Sequence, residues 1–221
     1  ALPISGLFLV LFLLFHMSMN LAAVFSTEAY NAICEFLGAN WYALAGTLIL
    51  AAGVVVHLVY ATVLTLHNRS SRGSQRYAMT AEPEGVTWAS RNMYVLGIII
   101  VLGLLLHLYN FWYNMQFAEI IGNHELGPFP PADGAAYIAA LFSSPVYCII
   151  YLVWFAAIWF HLTHGFWSAF HTIGWDNQTW LPRLKRIANV VATIVFLCFA
   201  LVVIVFYLRS LGVCGGSCAG F

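Results

Sequence analysis

Eight histidines stand in 221 residues, and five of them fall inside long apolar runs: His16, His57, His107, His161 and His164. An ionisable side chain in such a run is costly and marks a functional position by default. A single histidine of this kind ordinarily makes an interhelical hydrogen bond. Four consecutive runs that each carry one, with no Asp, Glu, Lys or Arg in their interiors, point elsewhere. A proton relay or ion path generally uses carboxylates, which these interiors lack. Neutral imidazole is a good iron ligand, and paired axial imidazoles suit haem. His67, His124 and His171 lie at run ends or in a loop and read as solvated or headgroup-level side chains.

The elements that must position these histidines follow from composition. The chain is 62% hydrophobic and 7% charged, with a mean hydropathy of +0.88. Soluble domains carry about 25% charged residues, so this chain belongs in lipid. A spanning helix needs about 20 mostly apolar residues, and five runs qualify: 2–25, 41–66, 92–117, 145–170 and 187–207. The expectation is an all-α integral membrane bundle of five transmembrane helices, forming one domain over 1–221, with two haems between the first four. The first run starts at Leu2 with no basic region before it and no small-residue cleavage site after it, so it reads as a span and not a cleavable signal peptide. A formal net charge of zero, without a basic tract, argues against nucleic acid as a partner.

Orientation comes from Lys and Arg in the short loops. Arg69, Arg72, Arg76, Arg91, Arg183, Lys185 and Arg186 fall on one side and only Arg209 on the other. The first side is expected to be cytoplasmic, with the N-terminus inside and the C-terminus outside a cell inner membrane. Glu28, Glu35, Glu119, Glu125 and Asp133 lie on the outer side.

Depth then pairs the histidines. His57 and His161 each lie nine residues from the inner end of their runs, or about 14 Å at 1.5 Å per residue. His16 and His107 lie fourteen and fifteen residues from the inner ends of theirs, or about 21–22 Å. Two levels result, His57 with His161 and, further out, His16 with His107. Small residues one turn away, at Gly53, Ala61, Gly103, Ala157 and Gly165, leave room for a flat macrocycle or simply for close helix approach. His16, with Phe12 and Asn20 there, fits this pattern worst. His164, turned about 60° from His161 around the helix, is the alternative fourth ligand. Cys34, Cys148 and Cys198 read as small buried residues, while Cys214 and Cys218 either pair or stay free.

At these residues the chain resembles the five-helix dihaem cytochrome b subunit of succinate:quinone oxidoreductases, the group that includes menaquinone-using fumarate reductases. The matching stretches are Ser5-Gly-Leu-Phe-Leu through His16, then His57, then Ser90-Arg-Asn-Met followed by His107-Leu-Tyr. The last is Phe160-His-Leu-Thr-His-Gly-Phe-Trp-Ser. The similarity covers nearly the whole chain and is weakest in the outer loops and at the C-terminus. It implies His16 and His107 as iron ligands of a distal b haem and His57 and His161 as those of a proximal one. It favours His161 over His164, because the family's ligand precedes a glycine by four. It implies two protein partners, an FAD-containing flavoprotein and an iron–sulfur subunit, with menaquinone as the quinone. The docking surface would be the inner helix ends and the loop 69–91. The chain has no dinucleotide-binding glycine motif and no cluster-type cysteine spacing, so succinate or fumarate chemistry would not occur on it. Some dihaem members carry a glutamate two residues before the fourth ligand, implicated in transmembrane proton movement; Trp159 stands there instead.

Quinone is expected on the outer side. Its reduction takes up two protons and its oxidation releases two, so a carboxylate at headgroup depth is needed. Glu35, just before the second span, is the candidate for proton transfer and Glu28 its competitor, with Asn40, Trp41 and Tyr42 as pocket residues. Two other classes remain open: another dihaem cytochrome b in a quinone-linked chain, and a haem-free transporter or anchor.

Overall fold

The structure, a computed structural model, describes residues 2–38, 40–71, 87–175 and 177–213. Among these, all regular structure is helical and five helices are long and apolar enough to cross a membrane. In chain order the elements are α1 (Leu2–Phe25), α2 (Thr27–Phe36), α3 (Trp41–Ser71), α4 (Trp88–Arg91) and α5 (Met93–His107). The last runs on through a π-helical stretch, Leu108–Phe117, into α6 (Ala118–Ile120). Then follow α7 (Gly134–Phe142), α8 (Pro145–Thr172) and α9 (Trp180–Ser210).

The spans outrun the hydropathic windows at their polar ends. The fifth was expected from residue 187, yet α9 begins at Trp180. Asn177 Oδ1 accepts from the backbone N–H of Thr179 and Trp180, which starts the helix early. Its charges then find aromatic faces, Arg183 over Trp180 at 5.5 Å and Lys185 over Trp167 at 4.6 Å. Long cationic side chains carry a helix past the apolar boundary in this way. The third span likewise continues three residues beyond its expected end at 117. The loop between α3 and α4, with Arg72 and Arg76, and the segment holding Cys214 and Cys218 lie outside the described residues, so neither the expected docking loop nor the cysteine pairing is described.

Four of the spans form a square. α1 packs on α3 and α8, α5 packs on α8 and lightly on α3, and neither the α1–α5 nor the α3–α8 diagonal is a packed helix pair. α9 lies outside the square against α8 and α1. The helices keep apolar side chains outward, such as Leu48, Val55, Val59 and Val63 on α3 and Val190 and Leu197 on α9. A bilayer satisfies such faces, and the helical backbone leaves no polar group unpaired against lipid. The densest packing lies at one end, where Ala23, Tyr30, Ile138, Phe142, Tyr151 and Phe206 bring α1, α2, α7, α8 and α9 together.

Two short helices that hydropathy does not reveal, α2 and α7, cover that end. Ser26 breaks α1 from α2 with an extended backbone and caps α2 by accepting from the Ala29 N–H at 3.1 Å. Asp133 caps α7 through the Ala136 N–H at 3.2 Å and also accepts from Asn31 Nδ2 at 2.8 Å. Asn31 Oδ1 in turn accepts from the Ala135 N–H, so α2 and α7 are clamped by one reciprocal pair. Arg209 comes to the same end. Its guanidinium donates to the Val24 carbonyl at 2.8 Å and the Ala23 carbonyl at 3.5 Å, and stacks over Phe206 at 5.1 Å. The one basic residue set apart by the loop count therefore closes the free carbonyl end of α1. Arg209→Met is expected to destabilise the fold by about 2 kcal/mol, the range for hydrogen bonds to a charged group. Thermal unfolding in detergent would show it as a lowered midpoint; an unchanged midpoint would make the contact incidental.

Candidate functional site

The square brings four histidines to its centre in two facing pairs. The His16 ring on α1 faces His107 at the end of α5, with ring centres 5.8 Å apart and planes at 87°. The His57 ring on α3 faces His161 on α8 at 6.3 Å and 69°. Each pair spans one of the two unpacked diagonals, so the rings meet where no two backbones do. These are the two pairs expected from depth.

The pairs sit at separate levels. Ser5 on α1 meets His57, and His16 lies eleven residues further along the same helix, or roughly 16 Å. On α8, Trp154 touches His107 at 5.6 Å, and His161 lies seven residues on, or roughly 10 Å. His164 looks elsewhere. Its ring lies edge-on to Trp167 at 5.0 Å, on the side where Lys185 sits over the same indole. His161, not His164, is the α8 histidine that faces α3.

The centre-to-centre spacing of the facing rings is of the size that two imidazoles on one metal ion would need. With metal–nitrogen bonds of about 2 Å, and ring centres a little over 1 Å behind the nitrogens, two axial imidazoles have centres roughly 6.3 Å apart. The His57–His161 pair has that spacing and the His16–His107 pair is slightly closer. Among the described residues Nδ1 of His107, of His161 and of His164 is buried without a hydrogen-bond partner, which is costly for a polar atom but, because His164 shares it, does not by itself single out a ligand. No hydrogen bond links the two rings of either pair among the described residues. His57 Nδ1 instead lies 3.3 Å from Ser5 Oγ, and the His16 ring nitrogens lie 3.3 and 3.4 Å from Asn20 Nδ2. Asn20 also donates to the His16 carbonyl at 2.8 Å and accepts from the Tyr30 hydroxyl at 3.2 Å. Burial holds the Tyr30 phenol well above its usual range, so it stays a donor there. No cluster of three or more His, Cys, Asp or Glu side chains suited to a metal occurs among the described residues.

The small residues near the histidines do different things. The Phe8 ring occupies the space a side chain would need at Gly53, and the Trp154 indole does so at Gly103. These two glycines serve close packing of aromatic rings between helices. At Gly165 the nearest atoms to a would-be Cβ are Met93 Cε at 3.7 Å and His161 Cδ2 at 4.0 Å, an ordinary packing contact that a small side chain would not disturb. Trp154 is held by donating its indole N–H to the Ile100 carbonyl at 3.0 Å. Neither Trp154 nor Ser5 stands out by residue type, though a serine within an apolar run is a polar signal of the same kind as the histidines.

At the end of the bundle covered by α2 and α7, Glu35 is exposed on α2. It lines a shallow open groove of about 380 Å³ with Glu28, Asn31, Pro130 and Asp133. The expected pocket residues beside it are otherwise engaged. Asn40 Nδ2 and the Tyr42 hydroxyl both donate to the Phe36 carbonyl, at 3.0 and 2.7 Å. They close the C-terminus of α2. Trp41 is 80% exposed and stacks edge-on to Tyr42, as an indole at headgroup level does. Glu28 accepts from Ser26 Oγ at 2.8 Å. Its own backbone N–H first, and then Ser26, hold its carboxyl below the usual carboxylate range.

Immediately after His107 the helix widens into the π-helical stretch, a feature often found at functional positions. Asn114 Nδ2 donates to the carbonyls of Tyr109 and Asn110, at 2.9 and 3.1 Å, inside this stretch. Asn110 reaches Tyr151, which itself packs against His107 at 6.2 Å.

Comparison with protein-family models, with curated proteins and with solved structures finds no match.

Proposed function

We propose that the chain is the membrane-anchor cytochrome b subunit of a succinate:quinone or quinol:fumarate oxidoreductase. It passes electrons between a menaquinone-type quinone and an iron–sulfur subunit, which exchanges them with an FAD-containing flavoprotein. One observation carries this reading: two pairs of facing histidines, each spanning a diagonal of the same four-helix square, at two levels of an apolar bundle. Haem b, once per pair, would supply one-electron redox chemistry at two depths. His57 and His161 would hold the inner group and His16 and His107 the outer one. The surrounding Phe8, Trp154, Tyr151 and Phe199 side chains keep water out of the bundle centre. A pair of imidazoles and no interior carboxylate suits electron transfer better than ion transport, where charged groups line the path.

The purified chain, reduced with dithionite, is expected to show the spectrum of low-spin b haem. Pyridine-haemochrome analysis is expected to return two haems per chain. A value near one, or none, would overturn the scheme.

Sidedness is testable as well. With the Arg- and Lys-rich end cytoplasmic in a cell inner membrane, the N-terminus is inside and the C-terminus outside. An impermeant maleimide applied to intact cells after mild reduction is expected to reach Cys214 or Cys218. Cys34 lies at the same end, but burial foremost pushes its thiol up to about 11. At neutral pH it stays protonated and slow to react, which leaves the C-terminal cysteines as the reporters. Labelling only after lysis would reverse the orientation and exchange the inner and outer assignments.

A further inference from the structure

Ser5 is buried in α1, one turn from the start of the helix. Its hydroxyl lies 3.0 Å from the Leu2 carbonyl oxygen and 3.3 Å from His57 Nδ1. A hydroxyl has one proton to give and two lone pairs to offer. The carbonyl can only accept, so the serine proton goes to Leu2. With its proton on Leu2, Ser5 presents a lone pair to His57, and the arrangement is complementary to a hydrogen on His57 Nδ1. A neutral imidazole protonated at Nδ1 has its free lone pair at Nε2. The His57 ring edge packs close to this turn of α1, 3.7 Å from where a Cβ on Gly6 would stand.

We propose that Ser5 is a positioning residue that holds His57 in the Nδ1–H tautomer, so that Nε2 is the nitrogen offered to the metal. The proposal rests on the dihaem reading above and adds to it an asymmetry between the two centres. His107 and His161 have buried Nδ1 atoms with no hydrogen-bond partner. His16 meets only the amide nitrogen of Asn20, a donor lying almost equally far from both ring nitrogens, so it selects neither tautomer. Among the described residues, His57 is the one of the four ring systems with a hydroxyl at hydrogen-bond distance. Such a partner fixes ring orientation and raises ligand basicity. A more basic imidazole stabilises the ferric state, so Ser5 lowers the reduction potential of the inner haem and leaves the outer one alone. The competing role for a serine here is to bond back to its own helix and let α1 and α3 approach closely.

The test is a redox titration of the detergent-purified wild-type assembly and of Ser5→Ala and Ser5→Thr, followed optically and by low-temperature electron paramagnetic resonance. In Ser5→Ala the midpoint potential of one haem is expected to rise, which lowers its oxidised-to-reduced ratio at a given potential by up to tenfold, and tenfold corresponds to about 59 mV for one electron. Its ferric signal should move while the other haem's stays put. Ser5→Thr, which keeps the hydroxyl, is expected to restore both readouts. Wild-type potentials and signals for both haems in Ser5→Ala would overturn the proposal. If Ser5→Ala loses the inner haem, Ser5→Thr decides: retention at the wild-type potential supports the hydroxyl's role, and loss in both variants assigns Ser5 to helix packing. Absence of haem from the wild type is a different outcome, which would reject the dihaem reading itself.

Discussion

His161→Ala is expected to leave one haem per chain where the wild type holds two, and His57→Ala to do the same. The two rings face each other across the α3–α8 diagonal at 6.3 Å, so each would supply one ligand to the haem proposed between them. Outer-shell partners of a metal ligand typically change affinity by about 10- to 100-fold; removal of the ligand itself should exceed that and empty the site. His16→Ala or His107→Ala is expected to remove the other haem, and electron paramagnetic resonance should show a different ferric signal lost in each case. His164→Ala provides the control. Its ring packs on Trp167 and not on α3, so both haems should remain. Loss of a haem from His164→Ala, with both kept by His161→Ala, would move the fourth ligand and break the match between ring geometry and chemistry.

The spans and the histidine levels were legible in the sequence for a simple reason. An apolar helix must cross about 30 Å of hydrocarbon, so counting residues from its end gives depth. Depth does not give azimuth. That the pairs lie on the diagonals of a square depends on which helices touch, and the apolar faces of α1, α3, α5 and α8 are too uniform to say so. The same limit appears at Gly53 and Gly103. Their small size was visible, but Phe8 and Trp154 arrive from other helices to fill the space. At the outer end the controlling features are single polar atoms. Ser26 and Asp133 turn loop residues into α2 and α7 by capping them. The Phe36 carbonyl draws in Asn40 and Tyr42, which had been expected to line a quinone pocket. Hydropathy is blind to all of these, because each rests on one hydrogen bond and not on a periodic pattern.

Those outer-end hydrogen bonds sharpen the expectation for Glu35. Quinone chemistry moves two protons with two electrons, so a site near the outer haem needs a group free to exchange them. Three carboxylates line the groove between α2 and the loop before α7: Glu28, Glu35 and Asp133. Asp133 is committed to Asn31 and to the cap of α7, and to give up its charge would loosen that clamp. Glu28 is held below the usual carboxylate range by its own backbone N–H and by Ser26, which makes it a poor proton acceptor at neutral pH. Glu35, exposed one helix turn beyond Asn31 on α2, is the carboxylate left for the task. With Asn40 and Tyr42 engaged by Phe36, the groove along α2 and Pro130 replaces them as the wall of the proposed quinone site. Glu35→Gln keeps the size and removes the exchangeable proton. General acid–base groups contribute about 10²- to 10⁴-fold to rate, so quinone-linked turnover of the intact assembly is expected to fall at least about 100-fold. Haem content and the succinate–dye reaction of the partner subunits should be unchanged, since neither uses the outer site. Glu28→Gln should retain most turnover. If Glu35→Gln turns over quinone at the wild-type rate, Glu35 has no part in the reaction, and a loss confined to Glu28→Gln would move the proton acceptor two turns back along the same face of α2.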